Sequence, residues 1–290
     1  MRCELLRGAI GLSAFTPAVA SWLARDPVRH NHLCTVVSQR ADGVLPTEPD
    51  ALWALIRAAP GTPPAWIAAW TPPHLLLVPE LDDEAASALV DALLEAGETV
   101  PGVTGMAPGP SAVARAWTAR TTASARRGMS TRLLVLETLR APDDVPGRLI
   151  RADWTYRPWL IKAVLGFEAD TPGDEPEPFT ERDAARRVDY FLSGGRAWLW
   201  EVRGEPVAMV CFAPPAAAAY RINAVYTPPE HRRRGYAAAA TAELSQHLLD
   251  IGAAAVLLFT DAANPTSNGV YERIGYRAVA EGETWTFTPS

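Results

Sequence analysis

Lysine is almost missing from this chain: Lys162 stands alone in a 290-residue sequence with 27 lysines and arginines together. With many alanines and 26 prolines, that skew reads as the genomic bias of a GC-rich bacterial source, so arginine runs are weak signals by themselves. Cysteine is also scarce. Cys3, Cys34 and Cys211 are odd in number and far apart, which argues against a disulfide framework and a Cys-type zinc site. His30 and His32 lie close together without further ligands, so we read them as solvated loop residues and expect no metal. No apolar run reaches membrane-span length. Residues 1–20 are mildly apolar but interrupted by Glu4 and Ser13, with no cleavage pattern after them, and we expect a helix there rather than a targeting segment. A formal charge of −6, with no basic face interleaved with aromatics, disfavours nucleic acid as a partner and weakly favours cationic or neutral small molecules such as amines. These absences leave a cytoplasmic protein of two domains, each able to bury a core. They assign no oligomeric state.

What is present begins at Glu230-His231-Arg232-Arg233-Arg234-Gly235-Tyr236-Ala237. Tyr220 to Thr227 reads as a strand, broken by Pro228-Pro229. After the basic run, Ala237, Ala240, Leu244, Leu248 and Ile251 fall at helical spacing until Gly252. A strand, a glycine-bearing loop and a helix start form a geometry that holds phosphate, because first-turn amides lack internal partners and carry the positive end of the dipole. Gly235 removes a side chain that would keep a phosphate off the backbone. A solvated basic turn fits the same residues equally well.

A second segment follows the short apolar strand Val256 to Thr260. Asn264 suits an N-cap with Pro265 at the first helical position, and Gly275 supplies a left-handed stop. Ser267 and Tyr271, four apart, share a helix face.

These residues resemble the GNAT (Gcn5-related N-acetyltransferase) superfamily. Its acetyl-CoA loop, Arg/Gln-x-x-Gly-x-Gly/Ala, is matched by Arg232 to Ala237; its later Asn, Ser, Tyr and Gly-Tyr pattern is matched by Asn264, Ser267, Tyr271, Gly275 and Tyr276. The resemblance covers roughly residues 148–290 and implies an α/β (α+β) fold with a mixed sheet. The order of elements agrees: a strand at 148–151, helices at 153–167 and 181–193, a hairpin at 198–212, then strand, loop, helix, strand, short helix and a final strand at 277–288.

The N-terminal half has a similar rhythm. We expect helices at 3–24, 49–59, 82–95 and 111–121, strands at 65–71, 74–78 and 132–139, and a proline-glycine turn from Val100. This half resembles a second, degenerate GNAT-like domain, as in tandem-GNAT proteins, although an unrelated α/β domain is the alternative. No Arg-x-x-Gly-x-Gly/Ala occurs in residues 1–140, and Pro101, Pro108 and Pro110 delete amide donors around Gly102 to Gly109. The expected division is therefore 1–140, without a CoA loop, and 141–290, catalytic, joined through residues 140–147.

The resemblance implies acetyl-CoA as cosubstrate and direct transfer of an acetyl group to the amine of a small molecule. It places the pyrophosphate on Arg232, Arg233, Arg234, Gly235, Tyr236 and Ala237. The pantetheine arm would run along Ala224, Val225, Tyr226 and Thr227, with Asn264, Ser267 and Tyr271 beside the thioester. Tyr271 is the expected general acid, or else packing. Many family members carry a glutamate base on the fourth strand, where this chain has Arg221 and Asn223. Glu201, or Glu168 or Asp170, could act as base through a water; each also suits a structural role. Trp154, Trp159, Phe167, Trp198 and Trp200 are candidates for an acceptor pocket or for core. A catalytically silent acyl-CoA-binding module is the other reading.

Overall fold

The computed structural model describes residues 1–171 and 178–289. Along the first half run β1 (Arg2–Arg7), α1 (Gly8–Leu23), α2 (Asn31–Ala41), β2 (Leu52–Arg57), β3 (Trp66–Trp70), β4 (Leu76–Val78), α3 (Asp83–Glu95), β5 (Gly102–Met106), α4 (Gly109–Arg120) and β6 (Ser124–Leu136). The second half holds β7 (Arg148–Arg151), α5 (Arg157–Asp170) after a single 3-10 turn, α6 (Glu181–Ser193), β8 (Ala197–Val202) and β9 (Glu205–Phe212). It continues with β10 (Ala219–Tyr226), α7 (Tyr236–Asp250), β11 (Ala255–Asp261), α8 (Pro265–Arg273) and β12 (Tyr276–Thr288). Both halves read strand, two helices, three strands, helix, strand, helix, strand.

The chain forms two compact units, residues 1–132 with 280–289, and residues 133–171 with 178–279. In the first, the strand order is β1-β2-β3-β4-β5-β12; in the second it is β7-β8-β9-β10-β11-β6. The sixth strand of each therefore comes from the other half of the sequence. β12 pairs antiparallel with β5, from Gly282 opposite Met106 to Thr286 opposite Gly102. Phe287 then stacks on Trp117 of α4, with ring centroids 5.4 Å apart. A cut at residue 140 would remove the sixth strand from both sheets.

Several N-terminal expectations are corrected. Within the helix expected at residues 49–59 lies the strand β2, Leu52–Arg57. Its alanines and leucines favour a helix in isolation, but the strand is buried on both faces. Leu52, Ala54 and Ile56 pack against the α3–α4 core, and Trp53 and Leu55 against the α1–α2 core. A buried central strand satisfies its amides on two neighbours, β1 and β3, and that overrides propensity. The first residues form β1 before α1 begins. His30 is not a solvated loop residue. It is buried at the start of α2, stacked 3.9 Å from Trp22, and burial lowers its pKa.

The second unit follows the sequence closely. α6 starts where Thr180 and Asp183 form a reciprocal capping box. One core lies under α7, built from Ile222, Leu244, Leu248, Val256, Leu258 and Tyr276. A second lies under α5 and α6 on the opposite sheet face, with Leu160, Val164, Val188, Phe191, Leu199 and Met209. The two cores hold β10 from both sides. No helix among the described residues is long and apolar enough to cross a membrane.

Candidate active site

β10 and β11 run parallel and in register from Ala219 opposite Ala255 to Ile222 opposite Leu258. Beyond Ile222 their registered pairing stops. On its other side β10 changes register with β9 between Asn223 and Tyr226, and Ala224 there has φ +47. An alanine in the left-handed region marks a bulge. The bulge turns the backbone of Asn223 to Tyr226 away from β11 and leaves an open strand edge.

That edge leads into the basic loop. A one-turn helix at Pro229–His231 precedes it, Arg233 has φ +61, and Gly235 caps α7 at φ +83 with no side chain. Two left-handed residues, two apart, curve the chain into a concave run of amides. The backbone N–H groups from Arg233 to Ala238 find no acceptor among the described residues. A Cβ on Gly235 would stand 3.0 Å from Val145 Cγ2, so φ disfavours a larger residue and Val145 would have to shift slightly to admit one. Thr227 Oγ1 and His231 Nδ1 are buried beside the loop without hydrogen-bond partners.

Arg232 is occupied within the protein. It donates to the Thr227 carbonyl at 2.9 Å, pairs with Asp170, and lies 5.7 Å over the Tyr226 ring. Tyr226 in turn fits against Gly166 of α5, where a Cβ would fall 2.3 Å from the phenol oxygen. Arg232 thus braces the loop against α5, while the exposed Arg233 and Arg234 leave their charge toward solvent. Tyr236 is buried in the α7 core and Ala237 is half-buried in the first turn.

In α8, the Asn264 side chain accepts from the Ser267 N–H at 3.1 Å, so these two residues build the helix start. Tyr271 packs edge-on against Tyr276, with ring centroids 6.1 Å apart, and Tyr276 shares a 2.7 Å hydrogen bond with Ser245. Gly275 ends the segment at φ +104, where a Cβ would meet the Thr138 carbonyl at 1.9 Å. Tyr271 and Val225 pack against the same α7 core. The Tyr271 hydroxyl makes no hydrogen bond to a described residue, and burial pushes its pKa up to about 12.

The three carboxylates considered as bases are each paired with an arginine. Glu201 lies two strands from β10 and receives Arg148 Nη2 at 2.8 Å; Glu168 pairs with Arg187, and Asp170 with Arg232. Among the aromatics, Trp200 is core, Trp198 packs on His247, Trp159 and Phe167 line the α5–α6 core, and Trp154 is exposed. Val145, Gly166 and the bulge at Ala224 escaped the sequence reading. Their signals are only spatial. Described residues hold no cluster of three His, Cys, Asp or Glu side chains suited to a metal ion.

An open, bulged strand followed by a free-amide loop at a helix start, in this element order, is the acyl-CoA N-acyltransferase arrangement. Residues 163–276 match the model of the Acetyltransferase (GNAT) family. The matched residues lie within the second unit, and the match supports an enzyme of the acyltransferase class there. A GCN5-related N-acetyltransferase from Sphaerobacter thermophilus shares the fold over 99% of this chain and 95% of its own, with TM-score 0.67 and 14% identity. A GNAT-family acetyltransferase from Colwellia psychrerythraea covers 99% and 100% at TM-score 0.65 and 11% identity. A Drosophila protein covers 99% and 98% at TM-score 0.66 and 14% identity. No curated protein sequence matches the chain at a significant level.

Proposed function

We propose that the protein is a cytoplasmic, acetyl-CoA-dependent N-acetyltransferase of tandem GNAT architecture, whose second domain acetylates the amine of a small molecule. The observation that carries this is the run of unpartnered amides from Arg233 to Ala238 at the start of α7, continuous with the open edge of β10. A pyrophosphate suits these amides, with Thr227 and His231 supplying further partners. When bound, acetyl-CoA supplies an activated thioester. Strand-edge amides at Ala224 or Val225 would stabilise the oxyanion as it develops. Tyr271 would protonate the departing sulfur: a phenol near 12 stays protonated across physiological pH and is always available as donor.

With Glu201, Glu168 and Asp170 paired to arginines, the amine would be deprotonated by solvent before attack. The same pairing favours a second reading, a silent acyl-CoA-binding module. Release of free CoA from acetyl-CoA across a panel of amines separates the two. Amine-dependent release supports the enzyme. Tight acetyl-CoA binding with no release from any amine overturns it in favour of the silent module.

The first domain is, in this proposal, a degenerate GNAT-like partner that binds no CoA. Its support is the repeated element order without a phosphate loop.

A further inference from the structure

One face of β10 is left unused by this chemistry. Tyr220, Ile222 and Val225 pack toward the α7 core, and Ala224 and Tyr226 toward the α5–α6 core. Alternation places Arg221 and Asn223 on the α5–α6 side. They flank Ile222, where pairing with β11 ends. The Arg221 guanidinium lies 5.8 Å from the Phe259 ring centre and faces Tyr190 of α6. Among the described residues no carboxylate pairs with it, and burial pushes its pKa down to about 10. Other arginines on this side have partners: Arg157 pairs with Asp189, Arg187 with Glu168, and Arg196 stacks 4.2 Å over Tyr190 and donates from Nη2 to its carbonyl at 2.8 Å. Asn223 Oδ1 is buried and accepts no hydrogen bond. A half-buried cation without an anion, on the same strand face as a buried acceptor without a donor, leaves two groups that one ligand would complete.

We propose that Arg221 receives a carboxylate of the acceptor while Asn223 Oδ1 accepts from its amine N–H, so that the acceptor is a small amino carboxylic acid. This rests on the N-acetyltransferase reading. A guanidinium fork matches the two oxygens of a carboxylate. Alternate residues on one strand face stand about 6–7 Å apart, which lets two groups of one small molecule be read together. A simple amine would leave the cation unpaired, and a polyamine would be repelled. The positive charge at Arg221 also favours the neutral form of a nearby amine, useful where Glu201, Glu168 and Asp170 are each paired with an arginine.

The test is a set of matched acceptors, each an amino acid, its amide and its decarboxylated amine, assayed at saturating acetyl-CoA. Wild type is expected to prefer the acid by a factor on the order of 100 in kcat/KM, the scale of a charge-assisted hydrogen bond. Arg221→Gln should collapse that preference to under about fivefold through the acceptor KM, without changing acetyl-CoA affinity. Arg221→Lys, which keeps charge but loses the fork, should fall between. A wild-type preference for decarboxylated amines, or an equal loss on all three acceptors in Arg221→Gln, overturns the inference. Turnover of carboxylate-free amines alone, with acetyl-CoA still bound, overturns it while sparing the reading beneath. Loss of acetyl-CoA binding in the wild type, read by calorimetry, overturns both.

Discussion

In the first unit β4 ends at Val78 and runs through Pro79 almost directly into α3, whereas in the second β10 bulges at Ala224 and passes through a long basic loop before α7. β4 stays paired with β5 to its last residue, Val78 opposite Gly105. Gly105 permits this at φ +148, where a Cβ would fall 1.8 Å from the Val78 carbonyl; a Cβ on Gly109 would fall 1.8 Å from the Pro79 carbonyl. The start of α3 is already capped, Asp82 accepting from the Ala85 N–H at 2.8 Å, with Asp83 and Glu84 in the first turn. Negative charge there complements the helix dipole and repels phosphate. Gly235 instead caps α7 without a side chain, and no acid occupies its first turn. Glycine thus serves opposite ends in the two units: it closes one pair of strands and opens one helix start. One element order accommodates both outcomes, so a binding site is a property of the loop and the bulge, not of the topology.

The comparison is most easily broken at Gly235. Gly235→Glu should weaken acetyl-CoA binding by more than about 100-fold in a calorimetric titration, because it strains φ and places an anion on the phosphate position. Retained wild-type affinity would remove the loop from the site.

Tyr271→Phe should lower kcat on the order of 100-fold with little change in KM for acetyl-CoA, the signature of a donor acting in the transition state. A loss under about threefold would leave Tyr271 as packing. Because burial holds the phenol up to about 12, kcat should show no alkaline loss from this group below about pH 10; a Tyr271-dependent fall between pH 8 and 10 would contradict that.

Gly105→Ala tests the closed unit. It should destabilise the protein by about 2 kcal/mol or more in urea melts, by strain against Val78, yet leave acetyl-CoA affinity unchanged in the folded fraction. The smallest effect is expected from Asp82→Ala, a lost N-cap of about 1 kcal/mol. Any gain of a second acetyl-CoA site in that variant would show that capping alone silences the first unit.

Much of the second unit was legible because its signals are local. The span of α6, the N-cap at Asn264 and the turn at Gly275 rest on local signals and formed where the sequence placed them. The first unit was harder to read. β2 carries helix-forming residues and became a strand through burial on both faces, a condition no local window contains. His30 reads as a loop residue until Trp22 is brought against it.

The sequence alone marked the glycine-bearing basic loop at the start of α7, since the conformational freedom of Gly235 is a local property, and it contains no second Arg-x-x-Gly-x-Gly/Ala run in residues 1–140. Tertiary structure decided the rest. It tied Glu201, Glu168 and Asp170 to arginines distant in sequence, so that each carboxylate sits within an ion pair. It opened β10 from β11 through a bulge at an alanine that no motif marks. It also gave each sheet its sixth strand from the opposite half of the chain. Pairing between strands is set by which edges remain unsatisfied after the whole chain has packed, and that information is not stored in any one segment.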